Sequence, residues 1–546
     1  MTAAPIVEAA PSISPVPPVP GGMSDRVLGN RFAYIPAQCY VKTTDAAATH
    51  NACYPCHRQP REPNFVDDAE LQVTWKFPGA SAKNPWRNLF DPPVARQPRA
   101  NDAEILAYVR TSNYVDARGE LTLAARLRSL PAAWDVEGDH KWDGYVPDAR
   151  FDFDQRGFDR GATGWRAFAY APFPGAFLPT NGSADDVLIR LDAPFRQNTD
   201  GRFDQRIYEL NLAVVEALIT RADVTIDPVD ERALGVDLDL DGRLATARKV
   251  TFEGRSGGAT RMHYVGQAHA AEARGALPIA PGLFPLGTEF LHSVRYLDVG
   301  PDGAVKMAAR MKELRYAQKR RWLGYADLKA VAAADPIEAT ESADGARTIL
   351  WQNDHGIANG QGWYFQGFIE AADGSLRPQS YEETVACAGC HGGIGATTDS
   401  IFAFPRKLGA SAPARGWFHW TQHDLRGIGE RRDAGGEGDY SAYLRRNGAA
   451  DDWRENDEAR ARFIDGAGRL RADALAALSE DVSLLLVPSA ARALALDRAY
   501  RAIVIEQSFA RGRDAFTAPA RNVHEEAPAG KPTGLRAATV KARRRT

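Results

Sequence analysis

The pentapeptide Cys-x-x-Cys-His occurs twice in this chain, at residues 53–57 (CYPCH) and 387–391 (CAGCH). Two thiols three positions apart can each bond one vinyl group of the same porphyrin, and the histidine that follows can ligate its iron. Four of the five cysteines belong to these motifs. The pattern therefore predicts covalent haem attachment at two places in the chain.

Two other uses of paired cysteines are less consistent with this arrangement. A zinc ribbon brings its second CxxC within about 15–20 residues of the first, whereas these motifs begin at residues 53 and 387. A thioredoxin-like CxxC sits in a compact βαβ unit and needs no adjacent histidine. The histidine that follows each pair favours haem.

With its two CxxCH motifs the chain resembles the dihaem c-type cytochromes. The resemblance implies two haem c cofactors and makes His57 and His391 the proximal iron ligands. It also implies export, because haem is attached to such motifs beyond the cytoplasmic membrane. The cofactor-binding residues that it implies are Cys53, Cys56, His57, Cys387, Cys390 and His391.

The sixth ligand of each iron decides between electron transfer and ligand chemistry. His292, His50 and His355 are the candidate distal ligands, although an ordinary core, surface or turn position is the simpler interpretation of a lone histidine. Met307 and Met311 are the plausible methionine ligands. Cys39 is either a buried small side chain or a thiolate ligand, as in the thiosulfate dehydrogenases.

The segment Asp237-Leu238-Asp239-Leu240-Asp241-Gly242 places carboxylates at positions 1, 3 and 5 of a calcium loop and glycine at position 6. Arg248 stands at position 12, where an EF-hand has a bidentate glutamate. A solvated acidic turn is therefore the favoured interpretation. Asp237, Asp239 and Asp241 remain candidate Ca²⁺ ligands if the last ligand comes from elsewhere.

Composition limits the function classes. The formal charge of −3 on 546 residues does not favour nucleic-acid binding, and no apolar run is long enough to span a membrane. Residues 1–22 have neither the basic nor the apolar region of a leader peptide, so we expect the true start to lie upstream. A periplasmic or otherwise exported location is thus inferred from the motifs alone.

We expect an α+β fold, mixed and loop-rich, with helices around two covalently bound haems and strands in a middle insertion. Apolar spacing predicts helices over 102–111 and 203–222, and a hairpin around 290–304. A capping pattern at 183–186 precedes an apolar run at 187–191. The predicted segments are a Pro/Ala linker (1–27), the first haem segment (28–129), a mixed insertion (130–379), the second haem segment (380–430), a helical region (431–516) and a basic disordered tail (517–546).

The function expected is that of a periplasmic dihaem cytochrome c that passes electrons between its haems and a partner protein or small molecule. The alternative is a dihaem redox enzyme, peroxidase- or oxidase-like, with one open or displaceable iron site. A third hypothesis is a sensory module whose middle region binds a ligand. No catalytic set is apparent in the sequence, so whether the chain is an enzyme stays open.

Overall fold

The computed structural model describes residues 30, 32–44, 49–51, 55–57, 61–65, 81–97, 100–135, 137–174, 179–341, 349–351, 353–432, 436–446 and 456–527. The predicted linker at 1–27 and residue Cys53 lie outside these ranges. Within them the fold is α+β, as expected, and every strand pairing is antiparallel. None of the described helices is both long and apolar enough to cross a membrane.

The strands in chain order are β1 (Lys42–Thr44), β2 (Thr49–Asn51), β3 (Arg166–Ala167), β4 (Ala184–Asp185), β5 (Leu188–Arg190), β6 (Val224–Asp230), β7 (Thr246–Val250), β8 (Glu289–Val299), β9 (Val305–Lys319), β10 (Leu350–Trp351), β11 (Ile357–Ala358), β12 (Trp363–Glu370) and β13 (Leu376–Pro378). The α-helices are α1 (Asp102–Arg110), α2 (Thr122–Arg128), α3 (Gln205–Thr220), α4 (Glu231–Leu234), α5 (Gln267–Ala273), α6 (Tyr325–Glu341), α7 (Tyr381–Cys390), α8 (Asp439–Arg446), α9 (Asp457–Phe463), α10 (Ala472–Glu480), α11 (Ser483–Leu486) and α12 (Ala490–Glu506). Short 3₁₀ turns lie at Ala37–Tyr40, Arg87–Leu89, Pro93–Arg96, Pro179–Asn181, Ala193–Arg196, Ser256–Gly258, Asn353–His355, Pro413–Gly416 and Phe509–Arg511.

A nine-stranded sheet forms the centre, in the order β10-β11-β12-β9-β8-β5-β3, with β13 beside β12 and β4 beside β8. The long strands β8 and β9 are the predicted hairpin, with Glu289 opposite Gln318 and Val299 opposite Val305. Their turn has the sequence Gly-Pro-Asp-Gly, which suits a tight reversal. This hairpin provides the wall against which both motifs are placed.

Both helix predictions are confirmed. Helix α1 begins with Asn101, whose side chain accepts from the Glu104 N–H while Glu104 bonds back, a complete capping box. Helix α3 occupies most of the predicted 203–222. The capping pattern at 183–186 starts no helix. Residues 184–185 of this pattern form β4 and residues 188–190 of the apolar run form β5, and both strands pair with β8.

The largest apolar core draws on distant parts of the chain. Tyr40 and Val41 before the first motif pack in the same cluster as Val385 beside the second and Val523 near the end. The start of the predicted basic tail, residues 517–527, is packed: the His524 N–H donates to the Tyr40 carbonyl at 2.8 Å. The rest of that tail, 528–546, lies outside the described residues.

Candidate functional site

Helix α7 carries the second motif on its last turn. It begins with a capping box, in which the Ser380 hydroxyl accepts from the Glu383 N–H at 3.3 Å and the Glu383 carboxylate accepts from the Ser380 N–H at 2.9 Å. Cys387 and Cys390 are three positions apart on this helix and therefore share a face. The helix ends at His391, whose N–H donates to the Cys387 carbonyl at 2.9 Å. The two thiols and the imidazole thus come together at one helix terminus.

The His391 imidazole is held in the form that binds a metal. Its Nδ1 lies 2.8 Å from the Ser400 carbonyl oxygen, which can only accept, so Nδ1 carries the proton and Nε2 keeps its lone pair. Burial lowers the pKa of His391 to about 4, so the ring is neutral near pH 7. Phe365 and Phe402 flank the ring at centroid distances of 4.9 and 5.4 Å.

The first motif lies beside the second, although the two are far apart in sequence. Of the first motif, Pro55, Cys56 and His57 are described. The Cys56 carbonyl accepts from the Ala396 N–H at 2.9 Å, five residues beyond His391. This backbone hydrogen bond shows that the fold places the two motifs next to each other, which their spacing in the sequence does not indicate.

A second contact between the same two regions lies on helix α7 itself. A Cβ added at Gly389 would lie 1.8 Å from the Tyr34 carbonyl oxygen and 2.9 Å from Pro36 Cδ. The chain before the first motif therefore runs directly over the helix between the two cysteines. Glycine is required here because no larger residue fits between the two backbones.

Both motifs line one cavity of about 290 Å³. The motif residues in its wall are Cys56, His57, Cys387, Cys390 and His391. Most of the remaining lining is apolar and includes the aromatic side chains Trp86, Phe168, Phe173, Phe290, Phe365 and Phe402. A large apolar wall with a few convergent polar groups is the usual lining of a cofactor site.

One side of this cavity is charged, which the sequence did not indicate. The Glu313 carboxylate lies 3.0 Å from Arg315 Nε and 3.1 Å from Arg513 Nη1. Burial tends to raise the pKa of Glu313, but the two guanidinium groups outweigh it and lower that pKa to about 2. Each guanidinium group carries several N–H donors, so the pair can also bind an anionic group on a ligand. Asp185, Arg406 and Asp514 line the same cavity, so its lining as a whole holds three acidic and three basic side chains. Arg315 lies on β9 and Arg513 beyond α12, so only the fold joins them.

Of the candidate distal histidines, the structure brings His292 to the cavity. It lies on β8 in the cavity wall, and burial with the nearby charge of Arg315 lowers its pKa to about 3, which keeps it neutral. His355 is not in the described lining; its Nδ1 lies 3.1 Å from Arg320 Nη2. His50 is on β2, and its side chain lies outside the described part of the chain.

Cys39 lines the cavity from the 3₁₀ turn before β1. Met307 and Met311 on β9 pack in other apolar clusters and are not in the described lining. The described lining of the cavity therefore contains no methionine.

Burial favours the protonated form of both thiols of the second motif. Burial raises the pKa of Cys390 to about 11 and also raises that of Cys387. A reactive redox CxxC has the opposite shift, a lowered thiol pKa. Among the residues searched, which exclude Cys53, neither motif belongs to a cluster of three or more metal-ligating side chains.

The acidic loop gains a carboxylate from outside its own sequence. Asp237 and Asp239 lie with Glu231 in a cluster whose ligand oxygens are all within 4.8 Å, while Asp241 is not in that cluster. Glu231 is fully buried and accepts from the backbone N–H groups of residues 238 and 245 at 2.6 and 3.0 Å. A Ca²⁺ ion here stays a prediction.

A protein-family model described as a "-like lipoprotein" matches residues 23–480. The chain belongs to this lipoprotein family. A relative from Aquifex aeolicus (strain VF5), called an uncharacterized lipoprotein, is 28% identical over 550 residues, which cover 88% of this chain and 85% of that protein. No solved structure matches.

These matches correct the expectation that the chain is one of the c-type cytochromes. Both the family and the relative carry lipoprotein names, and neither is described as a cytochrome or an oxidoreductase. Two pentapeptides define an attachment chemistry but occupy few residues, so they do not fix the family of the whole chain. Export is the coarser expectation that survives, because lipoproteins are exported proteins held at a membrane by attached lipid.

Proposed function

We propose that this lipoprotein holds two covalently attached haems in its shared cavity and transfers electrons through them. The observation that carries the proposal is that both CxxCH motifs, distant in sequence, line one apolar cavity. The donor set fits: thiols paired on one helix face, and a neutral imidazole whose Nδ1 proton is held by a backbone carbonyl. Bound there, haem iron would supply one-electron chemistry.

The roles of the chain's own residues follow from their positions. Cys53, Cys56, Cys387 and Cys390 would form the thioether bonds, and His57 and His391 would ligate the irons. The Ser400 carbonyl orients the His391 ring. The apolar walls exclude water, and the guanidinium groups of Arg315 and Arg513 would pair with the carboxylates of a porphyrin.

Export is consistent with this proposal and indicates where in the cell the protein would act. Haem is joined to CxxCH motifs outside the cytoplasmic membrane, so a lipid-anchored protein facing the periplasm meets the attachment machinery. We infer a periplasmic location on that basis. Its partner would be a redox protein or a small electron donor or acceptor.

One observation favours the alternative of a dihaem redox enzyme. Two irons need two sixth ligands for pure electron transfer, and His292 is the one non-motif histidine in the described lining of the cavity. If His292 ligates one iron, the other could keep an open or displaceable position for a small ligand. The two functions separate by spin state: two low-spin haems support the carrier, and one high-spin haem supports the enzyme.

The test removes the thiols of one motif at a time. The full chain is produced with haem c maturation machinery, and covalent haem is counted after denaturation. Wild type should carry two haems, and Cys53→Ala/Cys56→Ala and Cys387→Ala/Cys390→Ala should each carry one.

Cys39→Ala is the matched control, since Cys39 lines the same cavity but belongs to neither motif. It should keep two haems. A wild-type chain with no covalent haem, or a haem count that the motif variants do not change, refutes the proposal.

A further inference from the structure

A cluster of two histidines and a glutamate lies outside the shared cavity. His269 and Glu272 are three positions apart on helix α5 and therefore project from one face. His263 comes from the segment just before the helix. The potential ligand atoms of the three side chains all lie within 4.8 Å of one another.

The three side chains of the cluster lie close to one another. His263 Nδ1 is 2.6 Å from Glu272 Oε1, and the rings of His263 and His269 are 5.5 Å apart at 74°. His269 Nδ1 is buried and has no hydrogen-bond partner in the described structure. A buried ring nitrogen without a partner is costly in a folded protein unless something else satisfies it.

The glutamate is oriented by the backbone. Its second oxygen, Oε2, accepts from the Tyr264 N–H at 3.0 Å, which leaves Oε1 directed at the histidines. Gly266 is the residue that caps the start of helix α5. Its φ is 65°, and an added Cβ would lie 2.3 Å from the Gln197 carbonyl oxygen. This close approach fixes the helix start, and with it the positions of His269 and Glu272. Such outer partners are what hold metal-ligating side chains in place.

Two imidazoles and one carboxylate form a donor set that suits a borderline-soft divalent ion. Zn²⁺ takes these ligands at about 2.0–2.2 Å in tetrahedral sites, and three protein ligands leave a fourth position for water. Ca²⁺ and Mg²⁺ prefer oxygen ligands alone. The half-exposed His263 side chain, 48% accessible, leaves the site open to solvent, whereas Glu272 is 11% accessible.

We propose that His263, His269 and Glu272 bind one Zn²⁺ ion, independently of any haem. The competing explanation is a plain His263–Glu272 ion pair with no metal. The two differ in the role of His269, which the ion pair does not use and the metal requires.

The test measures zinc on the full chain. The purified protein is stripped with chelator, Zn²⁺ alone is added back, and binding is followed by calorimetry with elemental analysis that counts zinc separately from iron. Wild type should bind one Zn²⁺ per chain. His269→Ala and Glu272→Gln should weaken that site by at least about tenfold, since even the outer partners of metal ligands contribute 10–100-fold to affinity.

His140→Ala is the matched control. His140 is an exposed histidine whose Nδ1 lies 3.0 Å from an Asp135 oxygen. Among the described residues this pair belongs to no cluster of three potential metal ligands. Zinc binding should be unchanged in this variant. His263→Gln replaces the most exposed of the three ligands and should therefore disturb folding least. Circular dichroism would report any loss of folding. Zinc binding that is absent in wild type, or unchanged in both His263→Gln and His269→Ala, overturns the proposal.

Discussion

Gly389→Ala tests whether the chain before the first motif really packs over helix α7. In an unobstructed helix, alanine in place of glycine stabilises by about 1 kcal/mol. Here the new Cβ would lie 1.8 Å from the Tyr34 carbonyl oxygen and 2.9 Å from its carbonyl carbon. These are backbone atoms, which cannot rotate away as the end of a side chain can, so one of the two segments must move.

The expected change in stability has a definite sign. Overpacking of this kind costs about 1–3 kcal/mol, and against backbone we take the upper part of that range. After the helix gain of about 1 kcal/mol, the variant should lose about 1–2 kcal/mol of unfolding free energy. The assay is chemical denaturation followed by circular dichroism.

Gly409→Ala is the control, because an added Cβ there meets no atom within 4 Å and the backbone has no positive φ. It should leave the denaturation midpoint nearly unchanged. A Gly389→Ala protein more stable than wild type would refute the contact, and with it the placement of the two motifs side by side.

The remaining predictions concern the cavity and the acidic loop. His292→Ala should convert one low-spin haem to high-spin in the oxidised visible spectrum; an identical spectrum would show that His292 is not a ligand. The lowered pKa of Glu313 means that its stabilising contribution is complete above its unfolded pKa, about 4.3, and is lost as the pH falls through about 2. Glu313→Gln should cost about 3 kcal/mol near pH 7, because it leaves the mostly buried guanidinium groups of Arg315 and Arg513, 15% and 16% exposed, without their carboxylate. It should also flatten the acid limb of a pH–stability curve, and an unchanged acid limb contradicts the ion-pair assignment. The calcium hypothesis predicts that metal analysis finds Ca²⁺, that chelator lowers the melting temperature, and that Asp239→Asn abolishes both effects; chelator-insensitive melting with no Ca²⁺ ends it.

The parts of the structure that sequence predicted are those set by local rules. The helix over 102–111 and the hairpin around 290–304 were predicted because a capping box at Asn101 and a Gly-Pro-Asp-Gly turn each act within a few residues. The capping pattern before residues 187–191 did not indicate their secondary structure, because that structure is decided by the neighbouring strand β8. A short apolar stretch suits a helix or a strand equally, and pairing with β8 made it a strand.

The candidate site likewise has parts that the local sequence predicts and parts that only the fold brings together. The pentapeptides were visible because their ligands are adjacent in sequence. The charged wall was not, since Glu313 and Arg513 are 200 positions apart and meet only in the folded chain. Glu231 joins the acidic loop from a preceding helix for the same reason. Family membership was also out of reach of the motifs, because it depends on the hundreds of residues between them.

The most direct test of the central claim is the pyridine haemochrome content of the full chain after expression with haem c maturation machinery, read with its oxidised and reduced visible spectra. We expect two covalent haems per chain. Fewer than two would contradict that claim, and the shared cavity would then need another occupant.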